Sequence, residues 1–145
     1  MSSYVVDASV AIKWFLPQIY ADNARLLLTN NHNLLVPDLI FPEVGNILWK
    51  EVRFGLATAQ EAKAVITAFS ALPLQVYASK PLISQTINIA LQTQRSVYDC
   101  LYLSLALSEG CQMVTADKKF YNALKNTNFA TNLLWIEDIA ILNDL

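Results

Sequence analysis

The chain has 145 residues, 54% of them hydrophobic and only 15% charged, with a formal net charge of −2 at neutral pH. That is one domain's worth of chain, residues 1–145, and its apolar fraction exceeds the ~45–50% usual for soluble domains, which leaves surface for a dimer or a heteromeric partner. No uncharged apolar run approaches the ~20 residues of a membrane span, and Met1-Ser2-Ser3-Tyr4 lacks the basic start and long apolar stretch of a signal peptide.

Taken in order, apolar runs alternate with helical patterns. A first strand at about 3–6 contains Tyr4-Val5-Val6 and ends at Asp7; a short helix follows, with Ser9 as a candidate cap. A helix covers about 20–30 and a strand about 34–36. Pro37-Asp38 reads as a plain helix cap, and Glu43, after Pro42, opens a helix to Arg53. Thr58-Ala59-Gln60-Glu61 is a capping box opening a helix to about Ala71. A strand at about 74–77 precedes a helix that carries Pro81 in its first turn and ends near Gln92. Ser96 caps the next helix and Gly110 ends it. A strand at about 111–115, a helix from Asp117 to near Leu124 and a strand at about 133–136 complete the series. Strands separated by helices require crossover connections, hence an α/β fold with a mainly parallel sheet.

Four acids share a context that the other acids lack. Asp7 and Asp117 follow apolar strand runs, while Glu43 and Asp99 stand in the first turns of helices. In a parallel α/β sheet strand ends and helix starts share one edge, where ligands bind. Four carboxylates gathered there repel one another unless a cation sits among them, and hard divalent cations suit oxygen ligands. The expectation is a Mg²⁺ or Mn²⁺ site, with one or two ions, for phosphodiester cleavage. Each acid also has a plainer explanation: a turn after the first strand, a favourable charge at a helix start, a capping box at Ser96 and Asp99, a helix cap at Asp117. The net charge does not exclude a polyanionic substrate, because without the four acids the remainder carries −2 + 4 = +2.

Other designs fit poorly. The single histidine, His32, lies in a loop-like Asn30-Asn31-His32-Asn33, and three glycines are too few for a phosphate-cradling loop. Trp14, Trp49 and Trp135 read as core or interface rather than base-stacking residues. Cys100 and Cys111 have no metal-type spacing and read as reduced core residues of a cytoplasmic protein. A signalling receiver domain would need adjacent acids after the first strand, whereas Ala8 follows Asp7, and an acid after the third, where Gln75-Val76-Tyr77-Ala78 has none.

The motifs resemble those of PIN-domain ribonucleases, especially VapC-type toxins of type II toxin–antitoxin pairs. Val5-Val6-Asp7-Ala8-Ser9-Val10 with Lys13-Trp14 resembles the opening motif, and Pro42-Glu43-Val44-Gly45-Asn46-Ile47-Leu48 the second. The run from Ser96 to Ala106 resembles the third, and Val114-Thr115-Ala116-Asp117-Lys118-Lys119-Phe120 the fourth, although no further acid follows Asp117. The resemblance spans Val5 to about Phe120 and implies a single PIN-like domain, with a twisted five-stranded parallel sheet flanked by helices. It also implies a homodimer, neutralisation by a small antitoxin, and endoribonuclease attack on structured RNA such as tRNA or ribosomal RNA that stops translation.

In this reading Asp7 and Asp99 are the principal metal ligands, and Glu43 and Asp117 complete or extend the site. Ser9, Asn46 and Thr115 support the ligands by hydrogen bonds, and Lys13, Lys118 and Lys119 contact RNA phosphates. The helices at 59–71 and 81–92 are candidates for the dimer or antitoxin surface, or merely cover the sheet. A housekeeping RNA-processing nuclease and a catalytically silent PIN-like module that binds RNA or protein are the alternatives.

Overall fold

The five apolar runs all become strands: β1 (Ser3–Val6), β2 (Asn33–Pro37), β3 (Gln75–Tyr77), β4 (Gln112–Thr115) and β5 (Leu133–Trp135). In the computed structural model, which describes residues 2–29 and 31–139, they form one sheet in the order β3-β2-β1-β4-β5. Every neighbouring pair is parallel; Tyr4 faces Leu34 on one side and Gln112 on the other. The helix end expected at residue 30 lies outside the described residues.

Between the strands run α1 (Ala8–Ala11), α2 (Ala21–Thr29), α3 (Ile40–Arg53), α4 (Ala59–Ser70), α5 (Ile83–Thr93), α6 (Val97–Glu109) and α7 (Lys118–Leu124). α6 lies against β1, β2 and β4, with α5 packed beside it. Cys100 to Ala106 of α6 are buried without interruption, as befits a helix apolar on every face. The core joins these residues to Val5, Val6, Leu35, Val36, Met113 and Val114 of the central strands.

Four local expectations are corrected. Asp7, not Ser9, caps α1: its carboxylate accepts the Val10 N–H, so the helix starts at Ala8, directly after the strand. α3 begins at Ile40 rather than Glu43, because Pro42 falls within its first turn, where no N–H partner is required. Asp38 is not the side-chain cap of α3; its carboxylate accepts the Ser79 N–H across 41 residues, at 3.4 Å. Pro81 sits in a short 3₁₀ turn, Lys80–Leu82, that feeds α5. The Thr58–Glu61 box forms in both directions.

Gly110 closes α6 at φ 64°, where the Gly110 and Cys111 N–H groups return to carbonyls of the last turn. A Cβ there meets no neighbouring atom, so the cost of substitution is conformational alone. Gly110→Ala is expected to lower the unfolding free energy by about 1–2 kcal/mol, read as a lower urea midpoint at unchanged slope.

Candidate active site

β1 is the strand at which chain order reverses: its successor β2 lies on one side and the much later β4 on the other. Such a reversal opens a crevice beyond the carboxyl ends of the strands. Asp7 leaves β1 at this point, its N–H reaching the Val114 carbonyl of β4 at 3.4 Å. Asp117 stands two residues beyond β4, and the first turns of α3 and α6 bring Glu43 and Asp99.

Asp7 is buried and tied down on both oxygens. Oδ1 accepts the Ser9 hydroxyl at 2.5 Å and the Val10 N–H at 3.1 Å, while Oδ2 accepts the Thr115 hydroxyl at 2.6 Å. Both hydroxyls are themselves oriented: Ser9 Oγ accepts the Ala116 N–H and Thr115 Oγ1 the Asp117 N–H, each at 3.0 Å. Each hydroxyl proton is thereby committed to Asp7. With two lone-pair positions per carboxylate oxygen, Oδ1 is filled and Oδ2 keeps one free.

Burial outweighs these bonds, and with the nearby Asp117 charge it pushes the Asp7 carboxyl up to about 6. Glu43 and Asp99 are also raised, chiefly by desolvation; Asp99 acts on Glu43, and Asp117 on Asp99. The four carboxylates therefore form one electrostatic unit. Asp117 is steadied as the cap of α7, its Oδ1 accepting the Phe120 N–H at 3.1 Å. Ser96 Oγ accepts the Asp99 N–H at 3.1 Å, and the partner of the Asp99 carboxylate is the Ser96 side chain.

The supporting and basic residues divide. Ser9 and Thr115 bond Asp7 directly, whereas Asn46 is exposed one turn beyond Glu43 with no bond to the four acids among the described residues. Lys118 and Lys119 are exposed in the first turn of α7. Lys13 does not sit on an open rim: it is buried, donates to Gln18 Oε1 at 3.2 Å, and is depressed by desolvation while the Asp7 charge opposes the shift.

Two residues escaped the sequence reading. The buried Tyr102 donates its hydroxyl to Glu43 Oε1 at 2.5 Å, and burial together with that bond raises its own ionisation far out of reach. It stays protonated and holds one Glu43 oxygen in place. Its position three residues after Asp99, on the same helix face, was the available signal. Arg95 precedes the Ser96 cap and stabilises the Asp99 charge, while its buried Nε has no hydrogen-bond partner.

Carboxylates are the hard oxygen donors that Mg²⁺ and Mn²⁺ prefer, and the raised Asp7, Glu43 and Asp99 mark a site that favours added positive charge. The donor set therefore fits a divalent cation. As the side chains stand, no three acids, histidines or cysteines among the described residues converge tightly enough to enclose one. Loading would thus require side-chain rotation, for which the half-buried Glu43 and Asp99 are better placed than the buried Asp7.

Comparison with known proteins agrees with this fold. The model of the PIN domain matches residues 4–125. Ribonuclease VapC3 of Pyrobaculum aerophilum is 31% identical over 119 residues, covering 79% of this chain and 89% of that protein. Exonuclease VapC9 of the same organism is 28% identical over 137 residues, covering 90% and 92%. The crystal structure of PAE2754, also from P. aerophilum, shares the fold with a TM-score of 0.74 at 23% identity, over 99% of this chain and 91% of that one.

The elevated Asp7 carboxyl has a consequence for stability. Its folded-state value of about 6 lies above the ordinary 3.8, so between these values the native state binds the extra proton and stability falls as pH rises. The full difference corresponds to about 3 kcal/mol. In chelator, the urea stability of the wild type is expected to drop from pH 4 to pH 7 by about 1–3 kcal/mol more than that of Asp7→Asn. Equal pH slopes would contradict the assignment.

Proposed function

This chain belongs to the PIN domain family, and from that premise we propose that it is a divalent-metal-dependent endoribonuclease, the toxin of a toxin–antitoxin pair. The observation that carries the reading is the buried, triply hydrogen-bonded Asp7 at the sheet's reversal point, in electrostatic contact with Asp117 and through it with Asp99 and Glu43. A divalent cation held by these carboxylates, Mg²⁺ or Mn²⁺, would supply an activated water and offset charge on the phosphate. The chain's own residues set the stage. Asp7 offers its remaining Oδ2 lone pair, Ser9 and Thr115 fix its orientation, and Tyr102 leaves Glu43 one oxygen to present. Asp99 and Asp117 complete or extend the ligand set. Lys118 and Lys119 meet backbone phosphates, while the buried Lys13 balances part of the Asp7 charge.

VapC3 is named a ribonuclease, which favours RNA as substrate. Structured RNAs of the translation apparatus, tRNA or ribosomal RNA, are the proposed targets, and their cleavage would halt protein synthesis. VapC9 is named an exonuclease, so attack from a chain end is the second reading. The free cysteines Cys100 and Cys111 suit a reducing cytoplasm, and no described helix is long and apolar enough to cross a membrane.

Two apolar surfaces are available for partners. Gly45, Leu48, Trp49 and Val52 of α3 form a groove with Ala59, Ala62 and Ile66 of α4, suited to a short amphipathic antitoxin segment. On α5, the exposed Ile83, Ile87 and Leu91 recur every four residues and suit a second copy of the chain.

Purified protein freed of any partner should cut total tRNA or ribosomal RNA into discrete fragments with Mg²⁺ or Mn²⁺. Chelator should abolish the cuts, and Asp7→Asn should slow them by about a hundredfold or more. A ladder of mononucleotide steps would favour the exonuclease; absence of any cleavage by folded protein would favour a silent binding module.

A further inference from the structure

Beside the acids, along the same edge of the sheet, runs a second groove of about 480 Å³. Asp38 follows β2 and Ser79 lies two residues beyond β3, so the groove stands over the strand ends next to those that carry Asp7 and Asp117. Its apolar wall is Leu39 and Pro42 from the start of α3, Ile83 from the start of α5, and Val97, Tyr98 and Leu101 from the start of α6. Two of these residues adjoin site acids in the chain: Pro42 precedes Glu43 and Tyr98 precedes Asp99. The groove therefore borders the acidic crevice, over the neighbouring pair of strands. Adjacent strands lie ~4.8 Å apart, so the centres of the two strand pairs are separated by two spacings, about 10 Å.

Tyr98 is 63% exposed although it is aromatic and stands two residues before the buried run Cys100–Ala106 of α6. A large ring held at the mouth of an apolar groove is a stacking platform, and base–aromatic stacking tolerates any base because each has a π-face. Arg95, three residues earlier, supplies the charge that a nucleic-acid strand needs. Among the described residues Arg95 closes no ion pair; its charge steadies Asp99 from a distance, and its buried Nε lacks a hydrogen-bond partner. Its planar guanidinium is suited to a bidentate grip on phosphate. Asp38 offers acceptor oxygens only, one of them already receiving the Ser79 N–H. Set against the edge of a base, it favours one that presents N–H donors.

Building on the nuclease reading above, we propose that this groove is a nucleotide subsite: an unpaired base flanking the scissile phosphate stacks on Tyr98, and Arg95 holds the adjoining phosphate. The acids then act on a strand whose neighbouring nucleotide is already seated.

The test uses an RNA oligonucleotide that the wild type cleaves, with 2-aminopurine placed in turn on either side of the cut. Binding is read without cleavage in chelator, by fluorescence quenching and anisotropy; KM and kcat are then measured with metal. At one of the two positions the wild type should quench 2-aminopurine. Tyr98→Ala should lose that quench and raise KM about tenfold with a much smaller change in kcat. Tyr98→Phe, which keeps a ring, should recover both. Arg95→Gln should raise KM and flatten its salt dependence, and Arg95→Lys should restore it in part. Unchanged quench and KM in folded Tyr98→Ala would overturn the subsite. So would an effect confined to oligomeric state by light scattering, which would assign Tyr98 to an interface between copies. If the wild type neither binds nor cleaves RNA, the nuclease reading itself falls, and this inference falls with it.

Discussion

The molecule is organised around one unfavourable object, a carboxylate buried at the middle of its sheet. Asp7 is held there by the hydroxyls of Ser9 and Thr115 and the N–H of Val10, and each hydroxyl is locked by a backbone N–H from the end of β4. That chain of bonds ties the end of β1 to the end of β4 across more than a hundred residues. It works only if the two strands are adjacent and in register, as the Val6–Val114 pairing makes them. The reward for so costly an arrangement is a fixed negative charge at the one place in a doubly wound sheet where a crevice opens.

The other parts follow from this constraint. α6 must lie close over β1, β2 and β4 to deliver Asp99, and its uninterrupted buried stretch from Cys100 to Ala106 lets it do so. The same helix carries Tyr102 inward to Glu43, coupling α3 to the site through a single hydrogen bond. Repulsion among the four acids is spread over elements whose packing is otherwise strongly favourable, so the core tolerates a poorly solvated cluster of like charge. The arrangement trades stability for a site that favours a cation.

Much of this could be read from the residues. The five apolar runs, the Thr58–Glu61 box, the Ser96 cap and the stop at Gly110 are local signals, and local physics determined each of them. The alternation of strands and helices implied a parallel sheet, and a parallel sheet implied that the acids after β1 and β4 share an edge with those at the starts of α3 and α6. What was not legible depended on contacts across long separations. Asp38 looked like a cap because only the fold brings Ser79 to its carboxylate. Ser9 looked like the cap of α1 because nothing in the sequence says that its hydroxyl is required by Asp7 and Ala116 together. Lys13 looked like a surface cation because its burial beside Gln18 depends on how the turn after α1 folds back. Tyr102 sat in an apolar run, where a tyrosine is usually core; its hydroxyl partner lies 59 residues away.

The central claim is that the four acids act as one cation-demanding unit with Asp7 at its heart. Calorimetric titration of Mn²⁺ into metal-free protein, repeated in buffers of different ionisation enthalpy at pH 6 and pH 8, tests it most directly. The account predicts saturable binding of one or two ions, with proton release near pH 6, where Asp7 is part protonated, fading by pH 8. Asp7→Asn should lose most of the affinity and most of the released proton. Absence of saturable binding at pH 8, or the same affinity and proton release in wild type and Asp7→Asn, would contradict it.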